Sequence, residues 1–300
     1  MALMIVLGII LRKKRIIDDR TQGTLSDILL KAVLPFTIIS SSQYEYSTEM
    51  VKSIIAVACC ASAYYVVTLL ILRQTTMRLP FDESEKRVFV TTSVFANTGF
   101  VGFPLMYGLF GASGLLLASI YNLMYNLFFY TYGVHLISRK TGNFKDIFMN
   151  PVSIASVAAV VLFIIPWRMP VFIKETTDLI GNMTVPLSMI ILGSTFATVD
   201  LRKLFMDKKS YIVMALRLIV FPLAMLGALM IASRFIEVNP RTMITLTIMT
   251  ALPSGTMNVI YSERYNCASK FCARTVVMTL VFMVVTLPLL IGLCLRFLMG

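Results

Sequence analysis

Two short stretches combine residue types that seldom share an apolar segment. VFANTGFVGFPLMYG, from Val94 to Gly108, sets Asn97, Thr98, Gly99, Gly102 and Pro104 within an otherwise apolar span. MTALPSGTMNVIYS, from Met249 to Ser262, clusters Pro253, Ser254, Gly255 and Asn258. Proline has no N–H and its ring clashes with the carbonyl four residues back, so the backbone ladder breaks at both places. Bare carbonyls are costly in hydrocarbon, and such breaks persist where they are buried in protein or line a wet cavity. Proline also suits the first turn of a new helix. Each proline is therefore expected to start a second half-helix whose free N–H groups and positive dipole end lie at the break. Two positive ends brought together from opposite faces favour an anion. One proline alone would read as a kink; two matched breaks with polar neighbours read as a functional crossover.

The elements that must position these motifs follow from composition. Hydrophobic residues make up 58% of the 300 and charged residues 14%, with a mean hydropathy of +0.83. A soluble domain carries roughly 45–50% apolar and about 25% charged residues. So few charges cannot cover a globule of this size, and the chain belongs in lipid. At ~20 residues per span plus a short connection, the length allows roughly ten spans and no separate soluble domain. Apolar stretches between polar breaks fall at 2–11, 25–43, 51–72, 87–108, 113–137, 151–167, 171–197, 210–233, 242–262 and 272–298. The first would rise only ~15 Å as a helix, about half the hydrocarbon thickness. Either the chain's start lies upstream, or this helix continues to Ile17 with its basic side chains snorkelling. It does not read as a signal peptide, because Arg12, Lys13, Lys14 and Arg15 follow the apolar run.

The net charge of +12 does not imply nucleic acid, which would need a basic face on a soluble fold. The basic residues come as short clusters between apolar stretches. Nineteen fall in the odd-numbered connections, among them Arg12–Arg15, Arg139, Lys140, Lys145, Arg202 and Lys203, against six in the even connections and the C-terminus. Positive-inside counting thus makes the odd connections cytoplasmic and puts both termini outside, in a multi-pass protein of the cell membrane. The five cysteines are odd in number, two are adjacent, and His135 is the single histidine. They read as ordinary thiols, with no disulfide framework, no metal site and no cofactor.

An internal repeat sets the architecture. Residues 25–46 and 176–197 superpose with Pro35 on Pro186, and Pro104 and Pro253 lie 149 positions apart in the fourth segment of each half. Five segments per half is an odd number, so the second half inserts upside down. The expected fold is all-α integral membrane, with ten transmembrane helices as two inverted five-helix repeats, 1–145 and 146–300. Helices four and nine would be broken and cross at the midplane, the best sequence pointer to a secondary transporter.

NTGFVGFPLM (97–106), NP (150–151), VPLSMIILG (185–193), ALPSGTMNVIYSERYN (251–266) and LGIILRKKRIIDD (7–19) resemble the auxin efflux carrier family, which includes PIN-type plant carriers and bacterial organic-acid permeases. The resemblance spans nearly the whole chain and is specific in the two crossover motifs. It implies two inverted five-helix repeats, a homodimer, and a mono- or dicarboxylate such as malate or malonate, or an indole-acetate-like acid, as substrate. Asn97, Pro104 and Pro253 match the family's crossover residues and by that match would line or shape the anion site. The chain begins late relative to the family and lacks the long cytoplasmic loop of the large plant carriers.

Ionisable residues inside the segments are few. Lys31 precedes Pro35 by four residues and Arg217 precedes Pro222 by five. Such residues are functional candidates by default. Lys31 lies close enough to a helix end to snorkel, and Arg217, only slightly deeper, takes the same reading while being kept with Asn122 as a supporting site residue. No carboxylate falls at mid-membrane depth, which gives no support to a proton relay. Ser40, Ser41, Ser42 and Gln43 either line a vestibule or cap segment two, capping being favoured. Asn122 and Asn126 either face the cavity or hydrogen-bond between helices. The leading reading is a secondary transporter of a small organic anion by alternating access. The competing one is a membrane sensor that binds the same anion without turnover. An enzyme is not expected, since HExxH and GxSxG are absent.

Overall fold

The computed structural model describes residues 2–140, 149–165, 168–198 and 207–298, all built from helices and their connections. Lys145, Arg202 and Lys203, and the expected repeat boundary at 145/146, lie outside the described residues. The helices are α1 (Ala2–Lys13), α2 (Asp19–Ile28), α3 (Leu34–Ser41), α4 (Thr48–Thr76), α5 (Glu83–Val94), α6 (Phe103–Phe128) and α7 (Val134–Ser138). They continue as α8 (Pro151–Ile164), α9 (Val171–Gly181), α10 (Thr184–Ala197), α11 (Lys208–Ala215), α12 (Phe221–Ala232), α13 (Pro240–Thr250), α14 (Thr256–Arg264) and α15 (Ser269–Leu298). Among the described residues the β-structure is a single isolated antiparallel bridge, Ala96 with Ser254.

Six helical stretches are long and apolar enough to cross a membrane: Asp19–Ser41, Thr48–Thr76, Thr98–Ser138, Val171–Ala197, Lys208–Ala232 and Ser269–Leu298. The difference from ten segments has local causes. Segments four and nine are interrupted, so their pieces fall short. Segment six is the 14-residue Pro151–Ile164, and α1 has 12 residues. The expected connection near 108–113 is instead a kink inside one helical run. Gly111 (φ 59, ψ −141) takes a conformation open to a residue without a Cβ.

Three prolines share one device. Pro35, Pro104 and Pro222 each stand two residues past a five-residue π-helical turn, at Leu29–Val33, Thr98–Gly102 and Leu216–Val220. A proline ring collides with the carbonyl four residues back in an α-helix. Widening the preceding turn to a five-residue step relieves that collision: the N–H of Leu34 donates to Leu29 O and that of Phe221 to Leu216 O. The extra residue also rotates the side chains that follow.

The chain forms two compact units, each drawing on both halves of the sequence. The first comprises Met1–Met50, Gly99–Ile120 and Phe148–Asp200; the second comprises Val51–Thr98, Tyr121–Ile147 and Leu201–Gly300. In the first unit α1 packs on α10 backbone to backbone. A Cβ on Gly8 would strike Ile190 O, and one on Gly193 would strike Ile5 O. Small residues allow this approach, where packing rather than hydrophobicity drives helix association. Its polar side chains pair across helices: Thr37 Oγ1 lies 2.6 Å from Thr184 Oγ1, and Gln22 joins Ser194 and Thr195 at 2.8 and 3.1 Å. Ser41 and Ser42 donate to Ile38 O and Ile39 O at the end of α3, while Ser40 Oγ donates to Asp178 and Gln43 Oε1 accepts from Met169 N–H. Lys31 is exposed and pairs with Asp27 at 2.9 Å, consistent with a snorkelling side chain.

The second unit has an aromatic core. Tyr65 stacks between Phe95 (5.7 Å) and Phe128 (5.3 Å), and Phe129 stacks on Tyr125 at 5.4 Å. Phe95 sits in the first helix break, so the break is packed against side chains rather than left open.

Candidate functional site

The two motifs meet in the second unit. α5 ends at Val94, Phe95 turns extended (φ −96, ψ 110), and the chain is helical again from Thr98. α13 ends at Thr250 and α14 begins at Thr256. Neither proline opens its half-helix, which corrects the sequence expectation. The chain restarts six residues before Pro104, which lies past the π turn, and Pro253 lies in the extended break itself. The reason is the joint between the breaks. Asn97 N–H donates to Pro253 O (2.7 Å) and Gly255 N–H donates to Phe95 O (2.9 Å). Pro253 serves as an acceptor, a role that needs no N–H. The bridge is antiparallel, so the two segments pass the break in opposite directions.

Every carbonyl left over at the end of α5 is accounted for. Thr91 O accepts from Phe95 N–H, Thr92 O from Ser254 Oγ (2.7 Å), and Phe95 O from Gly255 N–H and Asn258 Nδ2 (3.1 Å). Ser93 O and Val94 O accept from Arg217 Nη1 at 3.3 and 2.8 Å. Arg217 Nε donates to Leu252 O at 2.8 Å, and Nη1 also donates to Tyr64 Oη at 2.7 Å. A single guanidinium therefore caps the C-terminal ends of both broken helices.

Arg217 is 0% exposed, which corrects the snorkelling reading. The π turn Leu216–Val220 carries it, and within that turn Arg217 and Leu218 are buried while Ile219 and Val220 face out. Among the described residues no carboxylate pairs with it. Its counter-charge is the two helix ends, each worth roughly half a negative charge.

The sequence-singled residues divide by this geometry. Asn97, Thr98, Pro253, Ser254, Gly255 and Asn258 are buried and belong to one unit. Gly99, Gly102 and Pro104 continue into the first unit. Ser254 and Asn258 spend their donors on the joint: Ser254 N–H donates to Thr279 Oγ1 (3.0 Å), and Asn258 Nδ2 also donates to Gly255 O (3.0 Å). Thr98 Oγ1 donates to Asn122 Oδ1 at 2.6 Å, which gives Asn122 an interhelical supporting role. At the start of α14, Thr256 and Met257 are half-buried. First-turn N–H groups have no acceptor within their own helix, which puts a positive dipole end at each restart. Sequence alone gave no role to Tyr64, Ser93, Val94, Leu252 or Thr279. Ser93, Val94 and Leu252 serve through backbone carbonyls, and Tyr64 and Thr279 as hydroxyl partners, of residues far along the chain.

The membrane transport protein family matches this chain over residues 1–147 and 143–291. The chain belongs to that family. This agrees with the auxin efflux carrier resemblance of the crossover motifs, and with its helices it establishes a multi-pass membrane protein with a transport role. Similar proteins include an uncharacterized transporter of Methanothermobacter thermautotrophicus, 23% identical over 95% of this chain and 93% of the relative. An uncharacterized transporter of Methanocaldococcus jannaschii is 22% identical over 96% and 94%.

Proposed function

We propose that this membrane transport protein is a secondary transporter of a small organic anion, a mono- or dicarboxylate such as malonate or malate, working by alternating access. The observation that carries the reading is the opposite treatment of the two kinds of helix end at the crossover. The C-terminal ends are buried under Arg217, while the first turn of α14, at Thr256 and Met257, is half-buried. The N–H groups and positive dipole end of a helix N-terminus suit a carboxylate. The offset of the two proline motifs and the antiparallel bridge support two inverted five-helix repeats, with both termini outside the cell membrane. The family resemblance supports a homodimer.

Uptake of radiolabelled malonate into proteoliposomes held at set membrane potentials tests this. Accumulation should follow potential, each unit charge moved through 100 mV being worth about 2.3 kcal/mol, a shift of roughly fifty-fold. Saturable binding without uptake would make the protein a sensor and overturn the transporter reading.

A further inference from the structure

Four oxygens converge on one side chain. Leu252 O, Val94 O and Tyr64 Oη lie 2.7–2.8 Å from the guanidinium nitrogens of Arg217, and Ser93 O lies at 3.3 Å. Three are carbonyls at the C-terminal ends of two broken helices. Carbonyls of unwound backbone and half-helix C-terminal ends are the groups that hold coupling cations in secondary transporters, and hard cations take such all-oxygen shells. Here a covalently attached cation stands among them.

We propose that Arg217 is a tethered cation: it fills the oxygen cage that would otherwise require a cation from solution, and so fixes the crossover without sodium. This deepens the transporter reading by stating its ion dependence. Three features carry the assignment. Arg217 is wholly buried, it has no carboxylate partner among the described residues, and its Nη2 has no hydrogen-bond partner there. A guanidinium placed to satisfy a hydrogen-bond network would use its full fork of donors. This one is held through Nε and Nη1 with its charge against two negative helix ends. Arg217 acts on the anion through the crossover and is a positioning residue.

The test uses the full chain in detergent, comparing melting temperatures in choline, in sodium and with millimolar methylguanidinium at fixed ionic strength. Wild type should melt at one temperature in all three. Arg217→Lys should stay close to it and equally indifferent. Arg217→Ala should melt lower in choline and rise saturably by about 5 °C with methylguanidinium, sodium giving a smaller saturable rise. If Arg217→Ala cannot be purified, Arg217→Gln, which removes the charge and keeps much of the volume, takes the same comparison. A saturable sodium stabilisation of wild type, or a charge-free variant indifferent to every cation, would overturn the assignment. Malonate flux by wild type, measured with sodium replaced by choline, should be unchanged. Cation rescue in a protein with no malonate flux would leave Arg217 as assigned and overturn the proposed substrate instead.

Discussion

The backbone N–H of Asn97 donates to the carbonyl oxygen of Pro253 at 2.7 Å, a main-chain bond between the two sequence motifs. That bond does not depend on the side chain at 97, so substitutions there leave the main-chain joint in place.

Asn97→Ala should fold and melt near wild type while losing affinity for malonate. Removing a hydrogen bond to a charged group costs about 1.5–3 kcal/mol, or roughly ten- to a hundred-fold in affinity. Asn97→Asp should bind more weakly still, because it sets a negative charge against the anion. Isothermal titration and a melting curve on one preparation read both quantities. Unchanged binding by both variants removes Asn97 from the site.

Gly255 is held to glycine by space rather than by backbone angle. Its φ of −72 is open to any residue, but a Cβ would lie 2.7 Å from the carbonyl oxygen of Ala96. Gly255→Ala should push the bridge apart and destabilise by about 1–3 kcal/mol. Gly227→Ala is the control: nothing lies within 4 Å of its Cβ, and the helix interior should gain slightly. Equal melting temperatures for the two variants would contradict the close approach at the joint.

Acid should weaken one ion pair at the N-terminal ends of α5 and α11. Glu85 accepts from Lys209 at 2.5 Å, and that hydrogen bond holds its carboxyl below the ordinary 4.5. A carboxylate whose folded value is depressed adds stability above its unfolded value and loses it as pH falls through the folded one. The partly exposed pair should contribute no more than about 1 kcal/mol. Melting temperature should therefore fall below about pH 4.5 in wild type. It should fall less steeply in Glu85→Gln, whose amide still accepts from Asp82 N–H. Parallel acid profiles for the two proteins would show that the pair contributes nothing.

Topology is checked with single cysteines on a background lacking the five native ones. Glu45→Cys should react with an impermeant thiol reagent applied to intact cells, and Lys140→Cys only after permeabilisation. Both positions are exposed on the protein, so accessibility reports the side of the membrane. The reverse pattern would invert the proposed orientation.

The sequence by itself determined the membrane class, several of the apolar segments and the two motifs that hold the breaks. Hydropathy, chain length per span and the missing N–H of proline are properties of a residue and its near neighbours. That is why 171–197 matches Val171–Ala197 and why Pro253 falls in the second break. The tertiary structure alone decided what satisfies the broken ends. Val94 and Leu252 are ordinary apolar residues in sequence; what matters is their carbonyls, and a carbonyl's donor arrives from 123 and 35 positions away. The same holds for Arg217, read from sequence as snorkelling. Its burial depends on a π turn that re-aims it and on two negative helix ends that meet only in the folded chain, because the charge that stabilises it is carried by backbone geometry and not by any side chain the sequence spells out.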